Sequence, residues 1–410
     1  MKKFILWALA LLIIAAISLT IYMTTARNTD KGFVDPSLTS KKDNMKNLIQ
    51  TSEAVVYYTT TIDVAQKERE SWALFISKDH QASVHRMKGL DLGTLYYEPQ
   101  EKTLLLEDSD SLQFVTDDGI QKQTFSQKEH TGTSVGYLTK NQTFYSMNNT
   151  GILESKSKGY ESTLRYGNAQ KVNSTTIPEW VQATADNGLD TIYSLVNYIP
   201  DESGSEYFRI VQSTLDDTHV FQTQTLGEIM KFSDTQSPTL LSNMYYDAQH
   251  LYGLISYSSD KDEDSIHYDI LDYDIVNKTV NRHEIASYKN QLLIQMGIHQ
   301  GGSFQNKRLY FVEADGNVEQ INVKTHQAKT LYNLNALYGY DDFSNPQEHQ
   351  LYMDDKFIYY FYYDHEGQYY LDQIVLQTGK RIASNRIEHA KELLESQTQL
   401  VPNALVAIPE

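Results

Sequence analysis

The sequence predicts an all-β fold, a seven-bladed β-propeller preceded by one N-terminal transmembrane helix and followed by a short C-terminal helix. Three observations carry this. From Ser52 onward, short apolar or aromatic runs alternate with turn clusters, as in Ala54-Val-Val-Tyr-Tyr58, Trp72-Ala-Leu-Phe-Ile76 and Thr103-Leu-Leu-Leu106. Runs this short, rich in tyrosine, valine, isoleucine and threonine, suit pleated half-buried surfaces. Strand-like anchors then recur at Val56, Tyr96, Phe144, Ile192, Leu251, Tyr310 and Ile358, separated by 40, 48, 48, 59, 59 and 48 residues, spacings in the range of four-stranded propeller blades. Finally, the units end alike. Asp274-Ile-Val-Asn-Lys-Thr-Val, Ile321-Asn-Val-Lys-Thr-His and Ile374-Val-Leu-Gln-Thr-Gly-Lys each place a polar threonine turn after an apolar strand, as where a blade's third strand turns into its outermost fourth. The third and fourth intervals can also be divided differently, which leaves an eight-bladed count open. A pair of β-sandwich domains is the rival fold, since its strands are regularly spaced too.

The elements follow in chain order. Lys2 and Lys3 precede Phe4 to Met23, a run without charge that as a helix would span about 30 Å, the hydrocarbon thickness of a bilayer. Thr24 and Ala26 would suit a signal peptidase, but the run is longer than the roughly 7 to 15 apolar residues of a cleaved signal. Residues 1–26 are therefore expected to be a retained signal-anchor. Residues 27–51, with Asp35-Pro36 and Lys41-Lys42 and few large apolar side chains, read as a stalk with a helical turn near Met45 to Ile49. Residues 52–410 form the propeller, and no second apolar run of that length follows, so the large domain is expected outside the cytoplasm on a single-pass protein.

Within the propeller, Asp118-Gly119, Asp315-Gly316 and Glu366-Gly367 supply the positive φ that tight hairpins demand. Helical periodicity emerges near the end: Asn385 with Glu388 resembles a capping box, and Ile387, Ala390, Leu393 and Leu394 make one stripe, giving a helix over 386–396. The tail Leu400 to Ile408 is apolar enough to return as a strand to the first blade and close the ring; a packing arm on the ring's side is the alternative.

Composition excludes whole classes of function. The chain holds 53 acidic against 35 basic side chains, a net charge of −18, and no cysteine. That charge repels phosphate backbones, so nucleic-acid binding is excluded, and thiolate metal sites and cysteine nucleophiles are absent. No His-Glu-x-x-His, Gly-x-Ser-x-Gly, P-loop or Gly-x-Gly-x-x-Gly motif occurs, so no metal and no cofactor is expected. Asp260, Asp262 and Asp264 alternate like the start of a calcium loop, yet Ser265 stands where that loop needs glycine and Leu271 where it needs glutamate. They read as a solvated hairpin tip.

The span Arg308 to Val323, an aromatic strand followed by the Asp315-Gly316 hairpin and a second apolar strand, resembles the repeat of bacterial β-propellers of the broad TolB-like and YVTN-like kind. The resemblance covers residues 52–383 and implies a membrane-anchored protein of a Gram-positive bacterium. It lacks the signature residues of WD40 blades and carries no catalytic residue across.

Function is read from where the repeats swell. Val172 to Gly188, Leu226 to Leu240, Ser287 to Ser303 and Asn333 to Gln350 look longer than blade-to-blade links require. Such links share one face of a propeller, so together they would build one surface around the channel mouth. Trp180, His299, Tyr340, Asp341, Asp342 and Phe343 are its candidate binding residues, aromatics beside carboxylates. The expected function is a non-enzymatic binding or scaffold module for a protein partner, a membrane complex or a cell-wall polymer. The alternative is an extracytoplasmic hydrolase or lyase whose site is assembled in the channel.

Overall fold

The computed structural model describes residues 47–60, 69–93, 95–152, 160–198, 206–233, 236, 238–258, 265–289, 302–313, 315–338, 349–395 and 399–409. A short helix α1 (Leu48–Thr51) leads into β1 (Ser52–Thr60), β2 (Glu70–Ser77) and β3 (Ala82–Lys88), the second to fourth strands of blade 7. Blade 1 is β4 (Leu95–Glu98), β5 (Thr103–Asp108), β6 (Ser111–Thr116) and β7 (Gly119–Thr124). Blade 2 is β8 (Thr131–Leu138), β9 (Thr143–Ile152), β10 (Tyr160–Gly167) and β11 (Val172–Pro178). Blade 3 is β12 (Trp180–Asp186), β13 (Thr191–Tyr198), β14 (Glu206–Leu215) and β15 (Phe221–Phe232). In blade 4, β16 (Thr239–Leu240) and β17 (Tyr245–Asp247) together form the innermost strand beside β18 (His250–Ser258), β19 (Ser265–Asp274) and β20 (Thr279–Lys289). Blade 5 is β21 (Ser303–Gln305), β22 (Arg308–Val312), β23 (Asn317–Asn322) and β24 (Gln327–Asn333), followed by α2 (Leu334–Tyr338). Blade 6 is β25 (His349–Met353), β26 (Phe357–Tyr363), β27 (Tyr369–Val375) and β28 (Arg381–Arg386); then come α3 (Ala390–Leu394) and β29 (Leu400–Ala407).

Seven sheets exclude both the eight-bladed count and the sandwich pair. Seven apolar clusters fill the seven seams between neighbouring blades. Period-two alternation explains how one strand serves two seams. In β1, Val55 and Tyr57 join Leu104 and Val115 of blade 1, whereas Val56 and Tyr58 join Phe361 and Leu371 of blade 6. A strand buried on both faces needs an unbroken apolar run, which is why the second strands stand out in the sequence. Six of the seven sequence anchors fall on second strands; Tyr96 falls on the innermost strand β4 instead.

β29 closes the ring. It is the innermost strand of blade 7, paired antiparallel with β1 from Ala54↔Ala407 to Thr60↔Leu400. Pro402 is tolerated because the ladder slips between Tyr57 and Tyr58, where Pro402 pairs. The glycines at the predicted hairpins adopt the expected conformation, with φ of 122° at Gly119, 82° at Gly316 and 71° at Gly367.

Three expectations are corrected. The C-terminal helix spans Ala390–Leu394, not 386–396, because Asn385 and Arg386 pair with Leu371 and Tyr370 in the outer ladder of blade 6, leaving no free Asn385 to cap. Its stripe nevertheless packs as read: Ile387, Ala390, Leu393 and Leu394 are buried between blades 6 and 7. The segment Val172 to Gly188 is not a swollen link. It consists of β11 and β12 joined through Glu179, whose φ is 103°. β11 reads as a loop because an outermost strand is largely solvent-facing and therefore polar. Likewise Leu226 to Leu240 is mostly strand, its link reduced to residues 233–238. The predicted membrane helix, residues 1–26, lies outside the described residues; among those described, no helix is long and apolar enough to cross a membrane.

Candidate binding face and central channel

Every blade is an antiparallel meander from the axis outward, so strand direction sorts the connections. Innermost strands all begin on one face, here the entry face. That face receives the blade-to-blade links and also the hairpins between second and third strands. Connections from first to second and from third to fourth strands lie on the opposite face. Residues 259–264, the acidic hairpin tip read from the sequence, lie outside the described residues.

Trp180 sits on the entry face as the first residue of β12, half-buried. Its ring packs against Tyr160 at 5.4 Å between centroids, and Tyr160 itself is 37% exposed at the start of β10. In the same blade as Trp180, the Arg209 guanidinium covers the Tyr198 ring at 3.3 Å and is held by Glu179 at 3.1 Å and Glu228 at 2.7 Å. Burial pushes the Glu179 carboxyl up, against the pull of Arg209. Tyr207 lies 6.4 Å from Tyr198, with the Lys231 ammonium over its ring at 5.2 Å. The row continues into blade 4, where Arg282 lies 4.9 Å over Tyr257, pairs with Asp269 at 2.8 Å and reaches Met230 of blade 3 at 3.6 Å. Three consecutive blades thus contribute rings to one row, and blades 3 and 4 add the cations that cover them. The sequence singled out Trp180 alone of this row. The other members stand on separate strands, and their pairing depends on the cross-strand register within blades 3 and 4.

His299, Tyr340, Asp341, Asp342 and Phe343 lie outside the described residues. Among the described residues, no group of three histidine or carboxylate side chains could hold a metal ion.

Inside the ring, all seven innermost strands line a channel of about 410 Å³. Tyrosines dominate its wall. At its end opposite the entry face, Asp186 accepts a hydrogen bond from the Tyr145 hydroxyl at 2.7 Å and another from the Gly188 backbone N–H at 2.8 Å. Burial pushes the Asp186 carboxyl up, and nearby Glu98 adds to the shift.

A third polar feature is structural. Glu107, fully buried, accepts from Arg165 at 3.2 Å, from Asn148 at 2.9 Å and from the Ser146 hydroxyl. Arg165 also donates to the carbonyls of Asp108, Ser109 and Gln127 at 3.1, 2.9 and 3.0 Å. Next to it, Asp108 is held by Lys122 at 3.0 Å and by Ser111 at 2.6 Å. This network ties blade 2 to the hairpin between β5 and β6 of blade 1. It is a weld between blades.

A family model described as YycP, beta-propeller domain, matches residues 47–406. The uncharacterized YycP protein of Bacillus subtilis (strain 168) is 25% identical over 413 residues, covering 98% of this chain and 97% of its own. Among solved structures, apo AztD from Citrobacter koseri aligns with 87% of this chain and 98% of its own at 13% identity and a TM-score of 0.43. An apocarotenoid oxygenase of Synechocystis aligns with 83% of this chain and 91% of its own at 8% identity and a TM-score of 0.46.

Proposed function

This chain belongs to the YycP β-propeller family, and from that premise we propose that it is a non-enzymatic binding module on the outer side of a bacterial membrane. Residues 1–26 anchor it as a single pass, and the entry face receives a protein partner, a membrane complex or a cell-wall polymer. The likeness of Arg308 to Val323 to TolB-like and YVTN-like repeats is part of the same reading. The observation that carries it is the row of rings and guanidinium groups from Tyr160 through Trp180 to Arg282, because aromatic and arginine side chains at a partly exposed rim are the usual anchors of binding surfaces.

Chain direction supports the orientation. α1 precedes β1, a second strand, which begins on the opposite face. There Asn47 donates its backbone N–H to the Asp117 carbonyl at 2.8 Å, and the Gln50 backbone N–H donates to the Asp117 carboxylate at 2.9 Å. A tether upstream of Asn47 therefore joins the face away from Trp180, and the aromatic row points away from the membrane.

Two measurements test this. Protease added outside intact protoplasts is expected to digest the chain after Arg27, and full protection of the domain would overturn the orientation. Trp180→Ala is expected to weaken partner capture from the protein's own membrane by about 1–3 kcal/mol, the range of an aromatic interface anchor. The melting curve should move far less, since Trp180 is half-buried.

A further inference from the structure

We propose that the central channel is a binding site for a small organic ammonium ion, held by tyrosine and phenylalanine rings and neutralised by Asp186. The site lies inside the ring and is independent of the aromatic row on the entry face.

Three observations converge on a cation. The wall is aromatic: Tyr96, Tyr145, Tyr245, Phe304 and Tyr352 come from five different blades, with Tyr245 and Phe304 stacked at 5.4 Å. Ring faces carry negative quadrupole charge and attract ammonium groups within about 6 Å of the centroid. Next, Asp186, the one carboxylate among the described lining residues, has no cationic partner among the described residues. Both Asp186 oxygens accept hydrogen bonds, from Tyr145 and from Gly188, the arrangement of an ionised carboxylate, yet no lysine, arginine or histidine stands among the lining residues. A half-buried carboxylate facing only neutral donors gains from an incoming positive charge. Third, the Tyr245 hydroxyl is buried with no hydrogen-bond partner among the described residues, an unused polar atom on the channel wall. A volume of about 410 Å³ lies in the range of small-molecule pockets. The chain's net charge of −18 draws cations toward it.

The test uses the purified full-length chain in a non-ionic detergent, titrated with choline and with its neutral isostere, in which a tert-butyl group replaces the trimethylammonium. Choline is expected to bind saturably and about tenfold or more tighter than the isostere, a ratio worth about 1.4 kcal/mol. Asp186→Asn should abolish that preference while leaving the melting temperature near that of the wild type. Hydrogen exchange with choline supplies a readout that needs no variant, since peptides spanning residues 181–191 should become protected. Equal binding of the two compounds, no saturable binding of choline, an unchanged preference in a folded Asp186→Asn protein, or no protection over 181–191 would each overturn the assignment.

Discussion

Deleting residues 400–410 is expected to remove most of the propeller's stability and to leave little soluble protein. β29 is the sole innermost strand of blade 7, and its register with β1 runs over seven pairs. Its side chains also fill both adjoining seams: Ala404, Val406 and Ile408 pack toward blade 1, and Leu405 toward blade 6. Losing three large aliphatic side chains, each worth about 1.5–3 kcal/mol when buried, approaches the whole stability of a typical domain, roughly 5–15 kcal/mol. The backbone of β1 would in addition become an unpaired edge facing the channel. Removing only Pro409 and Glu410, which lie beyond the strand, is the control and should be silent. A melting curve for the longer truncation that matches the wild type would show that the ring holds without β29.

The second large effect is expected at Arg165. Its side chain is 1% exposed, and its partner Glu107 is wholly buried. Arg165→Met leaves the Glu107 carboxylate without its counter-charge and removes the guanidinium donor from three backbone carbonyls, of which that of Ser109 keeps the Glu129 N–H at 2.7 Å. Breaking a buried pair from one side costs about 3–5 kcal/mol, which a denaturant midpoint will register. Burial already pushes the Glu107 carboxyl up, with Arg165 opposing it, so the orphaned group should become protonated. Arg165→Met combined with Glu107→Leu should recover part of the loss, since the second change removes the uncompensated charge. Recovery will be incomplete because the carbonyls of Asp108, Ser109 and Gln127 still lose the guanidinium's hydrogen bonds. A single variant as stable as the wild type would contradict the weld between blades 1 and 2.

What the sequence made legible follows from burial. Second strands such as β1 and β26 lie between two neighbours and read as unbroken apolar runs, so the repeat could be counted from them. Outermost strands such as β11 and β20 are polar along most of their length, which hid β11 and made Val172 to Gly188 resemble a link. The closing strand was legible because Leu400 to Ile408 is apolar beyond a helix stripe with nowhere else to pack.

The candidate sites were far less legible. Trp180 was found because an isolated tryptophan beside Pro178 and Glu179 is conspicuous, although its reason for lying on the entry face, the start of an innermost strand, was not visible. The channel wall takes a few residues from each of seven separated strands, so Asp186 and Tyr145 carry no shared local pattern. Arg165 and Glu107 lie 58 positions apart. The acidic run Glu107-Asp108-Ser109-Asp110 is an oddity inside a strand-rich repeat, and it was the available hint that a buried cation must stand opposite.

In the proposed function, partners engage the entry face. The most direct measurement is hydrogen exchange on the protein captured with its partner from its own membrane, compared with the protein alone. Protection is expected at the strand ends carrying Tyr160, Trp180, Tyr198 and Tyr207, with the hairpins of the opposite face, such as residues 99–102 and 187–190, exchanging as before. Protection confined to those opposite hairpins, with the aromatic row unchanged, would contradict the claim.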